Sequence, residues 1–184
     1  MKRLFAAIKI HPSSRYISLF NEISVSLNHE HIKWVEPVNM HLTLKFFGET
    51  AENKIPLINQ ALQAAASESE PFTIDIANTG IFGSRYDPKV IWFGINNNKE
   101  LQLLAENIFS GLEAYGWPRD RQNFVPHLTI GRIKEIKDKA LFQQIISKYN
   151  TIEIQQEKVT EIILYESILT REGPIYAKVF SAQL

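Results

Sequence analysis

Apolar and polar positions change period several times along the chain, and each change marks an element. Residues 4–10 form a nearly continuous apolar run of strand length, closed by His11-Pro12, where proline removes a ladder donor and can open a helix. Ser13 and Ser14 stand where capping groups belong, and Tyr16, Phe20, Ile23 and Leu27 then recur at helical spacing, which predicts one buried stripe. Residues 28–39 read as a polar connection carrying Trp34 and Pro37. A strand follows from His41 and is expected to end in a turn at Gly48, and Ile55, Ile58, Leu62 and Ala65 predict a second amphipathic helix. Phe72, Ile74 and Ile76 alternate as a strand, Gly80 and Gly83 are expected to bracket a bend, and residues 84–89 are a polar loop. Residues 90–95 are apolar enough to predict a strand covered on both faces. Leu101, Leu104, Ile108, Leu112 and Tyr115 mark a third helix that ends near Gly116, with Pro118 just beyond. A second alternating strand begins at His127, residues 137–149 predict a short fourth helix, and residues 151–155, 158–169 and 175–183 predict three more strands.

Composition narrows the class. At 184 residues, with 45% hydrophobic and 22% charged side chains, the chain has the make-up of a soluble globular protein with one domain or two closely packed lobes. Twenty basic and 20 acidic residues give a formal net charge of zero, so no overall field draws in a polyanion and any nucleic-acid contact must be a local patch. Cysteine is absent, which excludes disulfides, thiol catalysis and Cys-based zinc sites. The basic start Met1-Lys2-Arg3 precedes an apolar run that Lys9 interrupts, too short for a signal-peptide core or a membrane span; a cytoplasmic protein without membrane attachment is expected.

Two stretches carry the candidate chemistry: His41-Leu42-Thr43-Leu44 and, about half a chain later, His127-Leu128-Thr129-Ile130. In an extended strand the imidazole and the hydroxyl two places on share one face while the leucine between them enters the core. With five histidines and eight threonines in 184 residues, chance supplies two His-x-Thr pairs in roughly one or two sequences in a hundred, so the pair points to function where one copy would not. The element order strand, helix, His strand, helix, strand is met twice, which predicts an internal duplication. Two imidazoles suit acid–base chemistry, because an unperturbed His titrates near about 6.5 and can be neutral in one place and protonated in another. The threonine hydroxyls can donate to phosphate oxygens as charge builds there.

Around the motifs, Lys45 and Phe47 share the His41 face if the strand stays regular and are candidate substrate contacts, Phe47 by stacking on a base. Arg132 would point away from His127 under strict alternation, although Gly131 could admit a bulge that redirects it. Arg85, Lys89, Arg119 and Arg121 are weaker candidates for contacts to a nucleic-acid backbone. His11, His29 and His31 are expected to be solvated surface; His29 and His31 lack further ligands at zinc spacing, and no Gly-rich phosphate loop with Lys is present.

The motifs, with Arg3-Leu4-Phe5-Ala6-Ala7-Ile8 at the start, Lys45-Phe46-Phe47-Gly48 after the first, Gly80-Ile81-Phe82 between, Pro126 before and Gly131-Arg132 after the second, and Tyr165-Glu166-Ser167 and Gly173-Pro174-Ile175-Tyr176 in the tail, carry a resemblance. The chain resembles the 2H phosphoesterase superfamily, specifically the bacterial RNA 2',3'-cyclic phosphodiesterases, historically called 2'-5' RNA ligases. The resemblance implies an α+β fold in which residues 1–184 form one bilobal domain. By the same resemblance, two pseudo-symmetric lobes would each hold an antiparallel sheet flanked by helices, with the cleft between the sheets and a His strand central in each. It implies a reaction without metal or other cofactor, with His41 as proton donor, His127 as proton acceptor, Thr43 and Thr129 on the phosphate, and Arg132 matching a frequent family arginine. Expected partners are RNA with 2',3'-cyclic phosphate termini or small cyclic phosphates, acted on by a monomer. Hydrolysis would leave a 2'-phosphomonoester, and the reverse reaction would form a 2'-5' link. The alternatives are a small-molecule cyclic phosphodiesterase and a noncatalytic module that binds RNA ends.

Overall fold

The computed structural model describes residues 1–96, 98–119, 124–171 and 173–184. In chain order the elements are β1 (Lys2–Lys9), α1 (Ser14–Ser26), β2 (His31–Trp34), β3 (His41–Thr50), α2 (Ile55–Ser67), β4 (Phe72–Gly83), β5 (Pro88–Ile95), α3 (Lys99–Glu113), β6 (His127–Glu135), α4 (Lys139–Lys148), β7 (Glu153–Val159), β8 (Glu161–Leu169) and β9 (Pro174–Gln183). Three helices start where a side chain satisfies an orphan amide: Ser13 accepts from the Tyr16 N–H, Asn98 from Leu101 and Asp138 from Leu141, while α2 has Pro56 in its first turn in place of a side-chain cap.

The strands form two antiparallel sheets, one ordered β3-β1-β8-β9 and the other β2-β6-β5-β4-β7. The duplication is visible as two strand–helix–strand units. In each, the motif His is the first residue of its strand and faces the end of the unit's first strand, His41 opposite Lys9 and His127 opposite Gly94. The sheets do not follow the halves of the chain, however: β8 and β9 join β1 and β3, while β4 joins the second unit. Nor are both His strands central. β6 lies between β2 and β5, but β3 is an edge strand, and it adjoins β6 of the other sheet.

One alternation runs through both sheets. Leu4, Ala6, Ile8 and Ile10 of the β1 segment, Leu42 and Leu44 of β3, Ile91 and Phe93 of β5 and Leu128 and Ile130 of β6 belong to a single apolar cluster that also takes in the buried faces of the four helices. The opposite face of β5, expected to be covered, instead turns half-buried Val90 and Trp92 away from that cluster.

The break expected after residue 155 falls instead at Thr160, between β7 and β8, and at three places where a connection, turn or bend is expected the chain is strand. The connection over 28–39 contains β2, whose ladder runs Ile32 to Ile133, Lys33 to Arg132 and Trp34 to Gly131; four residues are too few for a period to stand out in the sequence. At Gly48 the strand continues to Thr50, the glycine's φ of +69° following a bulge at Phe47 rather than closing a turn. Between Ile76 and Gly83 the chain keeps pairing with β5 instead of bending, because the indole of Trp92 lies across Gly80, where an added Cβ would sit 2.2 Å from its ring carbons.

Two buried carboxylates tie the connections down. Glu30 accepts the backbone N–H groups of Lys137 (2.6 Å) and Asp138 (2.9 Å), joining the start of β2 to the turn before α4, and lies 3.3 Å from His29. Glu157 on β7 accepts from the N–H of His11 (3.1 Å) and lies 2.8 Å from its Nδ1. His11 and His29 are therefore engaged with buried carboxylates rather than merely solvated, since a buried carboxylate needs donors from whatever segment reaches it. His31 is exposed on β2.

Gly80 and Gly111 give a paired test. Gly80→Ala should destabilise the protein by about 1–3 kcal/mol through overpacking against Trp92. Gly111→Ala, inside α3 with its nearest neighbour at 3.5 Å, should stabilise it by about 0.5–1 kcal/mol. Urea unfolding midpoints of the two variants against the parent protein check both signs.

Candidate active site

The site grows out of the first residue of each His strand. His41 Nδ1 lies 2.7 Å from the carbonyl oxygen of Asn39, and His127 Nδ1 lies 2.8 Å from that of Val125, in each case two residues back. A carbonyl only accepts, so Nδ1 carries the hydrogen in both rings and Nε2 is the atom left to take or give a proton. On the His41 side the carbonyl is itself fixed: Met40 N–H donates to Pro37, Ile10 N–H donates to Met40, and the Lys9 ammonium donates to the Val38 carbonyl. Thr43 and Thr129 follow two places on, half-buried, while Leu42 and Leu128 between them are fully buried.

His41, Thr43, His127, Thr129 and Arg132 line one cavity of about 440 Å³. One wall is β2 with the segment leading to β3, from Lys33 to Asn39; the other is the β8–β9 connection, from Thr170 to Tyr176. Aromatic rings brace both imidazoles. Phe5 and Tyr176 lie 4.9 and 5.1 Å from His41, and Phe82 meets His127 edge-on at 4.6 Å. Phe82 in turn rests against Trp92 (5.7 Å), so the Gly80 contact supports the second histidine through two rings.

Both imidazoles are held below the ordinary His range. For His41 burial is the main cause, opposed by the hydrogen bond to Asn39 and reinforced by Lys9, Arg132 and His127. For His127 burial again leads, opposed by Val125 and reinforced by Arg132. Burial likewise raises the Tyr176 phenol, with Arg132 and Arg3 acting the other way. Two neutral imidazoles, two hydroxyls and a guanidinium around one cavity can accept a proton, donate one after charging, and neutralise an anion between them.

A one-residue bulge sorts the neighbouring candidates. The β1–β3 register passes from Ala6–Lys45 to Ala7–Thr43 and so skips Leu44; the β5–β6 register passes from Ile91–Gly131 to Trp92–Thr129 and skips Ile130. Two consecutive residues then face inward, Leu44 with Lys45 and Ile130 with Gly131, and the cleft-side row resumes one place later than alternation requires. Arg132 is thereby turned into the cavity. Lys45 is buried instead, donating to the Pro118 carbonyl at 3.0 Å, and Phe47 packs on Trp117 at 5.8 Å; neither is among the cavity's described lining residues.

The outlying cations are engaged elsewhere. Arg119 pairs with Glu106 and Glu113, Lys89 pairs with Asp87, and Arg85 lies over the Tyr86 ring; Arg121 falls outside the described residues. The sequence pattern missed Lys33, Phe5, Phe82 and Tyr176. The one signal available for the aromatic three was their place in the quoted Arg3-Leu4-Phe5, Gly80-Ile81-Phe82 and Gly173-Pro174-Ile175-Tyr176 stretches. Among the described residues no group of three or more His, Cys, Asp or Glu is placed to hold a metal ion, and no helix is long and apolar enough to cross a membrane.

Comparison with known proteins places this geometry. The chain is similar to the RNA 2',3'-cyclic phosphodiesterase of Aquifex aeolicus, 37% identical over 149 residues that cover 80% of this chain and 79% of that protein. It is 34% identical over 176 residues to the protein of the same name from Archaeoglobus fulgidus, covering 95% and 96%. Among solved structures it superposes on a Thermus thermophilus protein with a TM-score of 0.81 at 25% identity, covering 99% and 97% of the two chains. The E. coli LigT structure complexed with 3'-AMP shares the fold, with a TM-score of 0.73 at 23% identity and coverage of 100% and 98%. The family model described as the 2'-5' RNA ligase superfamily matches residues 14–167, which include both His-x-Thr strands, and the chain belongs to that superfamily.

Proposed function

We propose that the protein hydrolyses RNA 2',3'-cyclic phosphate ends to 2'-phosphomonoesters by acid–base catalysis from His41 and His127, without a metal ion. The observation that carries this reading is the matched tethering of the two imidazoles. Each has its Nδ1–H committed to a carbonyl two residues back and its Nε2 left for proton transfer, in a cavity shared with two hydroxyls and Arg132. The names of the Aquifex and Archaeoglobus relatives support the same substrate. The acting unit is the whole of residues 1–184, since β1 and β9, from opposite ends of the chain, belong to the sheet that carries His41.

In the proposed reaction water attacks phosphorus opposite the 3' oxygen. Nε2 of neutral His127 takes the water proton as the new P–O bond forms, and Nε2–H of charged His41 gives its proton to the departing 3' oxygen as that P–O bond breaks. The products are a 2'-phosphomonoester and a 3'-hydroxyl, and solvent exchange restores the starting protonation. Thr43, Thr129 and Arg132 stabilise the charge that gathers on the non-bridging oxygens. Lys9, Arg132 and His127 all favour release of the His41 proton, which suits the donor role. With a 5'-hydroxyl in place of water, the same site forms a 2'-5' link; dilute ends in abundant water favour hydrolysis.

An oligonucleotide ending in a 2',3'-cyclic phosphate, incubated with the protein in EDTA, should yield a 2'-phosphate end; no product would end this assignment. His41→Ala and His127→Ala should each lower kcat by about 10²–10⁴-fold with the circular dichroism spectrum retained. Unchanged turnover in either variant removes that residue from the mechanism.

The pH profile follows from the depressed imidazoles. The productive state has one proton on the pair, and both groups lie below the usual value of about 6.5, so kcat/KM should peak below about pH 6.5 and fall above it as the acid is lost. An anionic substrate favours the charged forms, which sets the kcat profile at higher pH than that of kcat/KM. Arg132→Gln removes a cation that lowers both groups and should move the kcat/KM peak upward. A peak that stays in place in this variant contradicts that coupling.

A further inference from the structure

Lys33 and Arg132 stand opposite each other in the β2–β6 ladder, and both line the cavity that holds the histidines. Opposed residues of an antiparallel pair carry their Cβ atoms about 5 Å apart, where two like charges destabilise the pairing. Among the described residues neither side chain has a hydrogen bond or ion pair, and Glu36, the carboxylate among the described residues lining the cavity, pairs with neither. Other described cations are either engaged, as Lys2 with Glu166 and Lys178 with Glu161, or stand singly on the surface; what sets Lys33 and Arg132 apart is that they oppose each other in one ladder and face one cavity. At the equivalent place beyond the other bulge stands Phe46, and the two cations among the cavity's described lining residues both come from β2 and β6.

A cyclic phosphodiester carries one negative charge, which Arg132 and the two hydroxyls suffice to meet. A second free cation one strand farther out, on the edge strand of the sheet, therefore fits a second anion farther along the substrate. In RNA the next anion is the phosphate on the 5' oxygen of the nucleotide that bears the cyclic phosphate. We propose that Lys33 binds this 5' phosphate, which in RNA is the diester to the preceding nucleotide, and so makes the protein select RNA ends over nucleoside 2',3'-cyclic monophosphates. The inference rests on the hydrolytic reading of the cleft. It also explains how a chain with zero formal net charge engages a polyanion, by a local pair of cations rather than an overall field.

The test compares kcat/KM on three substrates: a nucleoside 2',3'-cyclic monophosphate, the same compound with a 5'-phosphate, and a dinucleotide ending in the cyclic phosphate. The parent protein should favour the second and third over the first by about tenfold or more. Lys33→Gln should lower that preference by about tenfold, mainly through KM, and should reduce the salt-dependence slope on the dinucleotide by about one. Lys33→Arg should keep the preference. Equal losses on all three substrates would assign Lys33 to the reacting phosphate, and a preference for the dinucleotide without one for the 5'-phosphate would assign selection to the extra nucleoside; either result overturns the proposal. If the parent protein turns over none of the three, the hydrolytic reading fails first and the role of Lys33 falls with it.

Discussion

The cleft depends on a short hydrogen bond made twice: an imidazole Nδ1–H donating to the carbonyl two residues behind it, from His41 to Asn39 and from His127 to Val125. Without it each ring could present either nitrogen and rotate about χ2, and no pair of Nε2 atoms would be held in a defined protonation pattern. The bond is local in sequence but needs a strand beginning at the histidine and a fixed segment before it. The Pro37–Asn39 turn, the Ile10-to-Met40 bond and the Lys9 contact supply the fixed segment on one side. Phe5, Tyr176 and Phe82 supply the packing that keeps the rings in place.

Two matched strand–helix–strand units give the cleft its two halves, and the departures from symmetry give the two histidines different surroundings. Lys9 faces His41 across its ladder, whereas Gly94 faces His127, so one imidazole sits beside a cation and the other beside open backbone. Beyond the matched bulges, one strand carries Phe46 and the other Arg132. Phe46 lies under the Arg3 guanidinium at 5.2 Å, an interaction within the first sheet, while Arg132 faces the cavity with Lys33 beside it. The cations among the cavity's described lining residues thus come from the second sheet and the aromatic bracing of His41 from the first.

The buried carboxylates belong to the same design. Glu30 holds the start of β2 to the turn before α4, and β2 brings Lys33 and Trp34 to the cavity wall. Gly131 has no side chain where the Trp34 ring crosses it, a Cβ there falling 3.1 Å from that ring, so β2 can lie close against β6. A short edge strand with few ladder bonds is kept in register by these side-chain contacts, and the wall of the cleft keeps its shape with it.

The amino-acid sequence by itself determined the two His-x-Thr strands, the placement of the intervening leucines in the core and the four helical stripes, because each depends on spacing within a few residues. What the tertiary structure alone decided was which strands pair and where their registers slip. β3 lies at an edge because the returning β8 pairs with β1, a choice made by residues more than a hundred positions away. Lys45 leaves the cleft face and Arg132 joins it, the latter by the kind of bulge that Gly131 allows, because one extra residue, Leu44 or Ile130, turns the following side chain over. A bulge has no period and leaves no mark in the alternation of apolar and polar positions; it exists only between a strand and its partner.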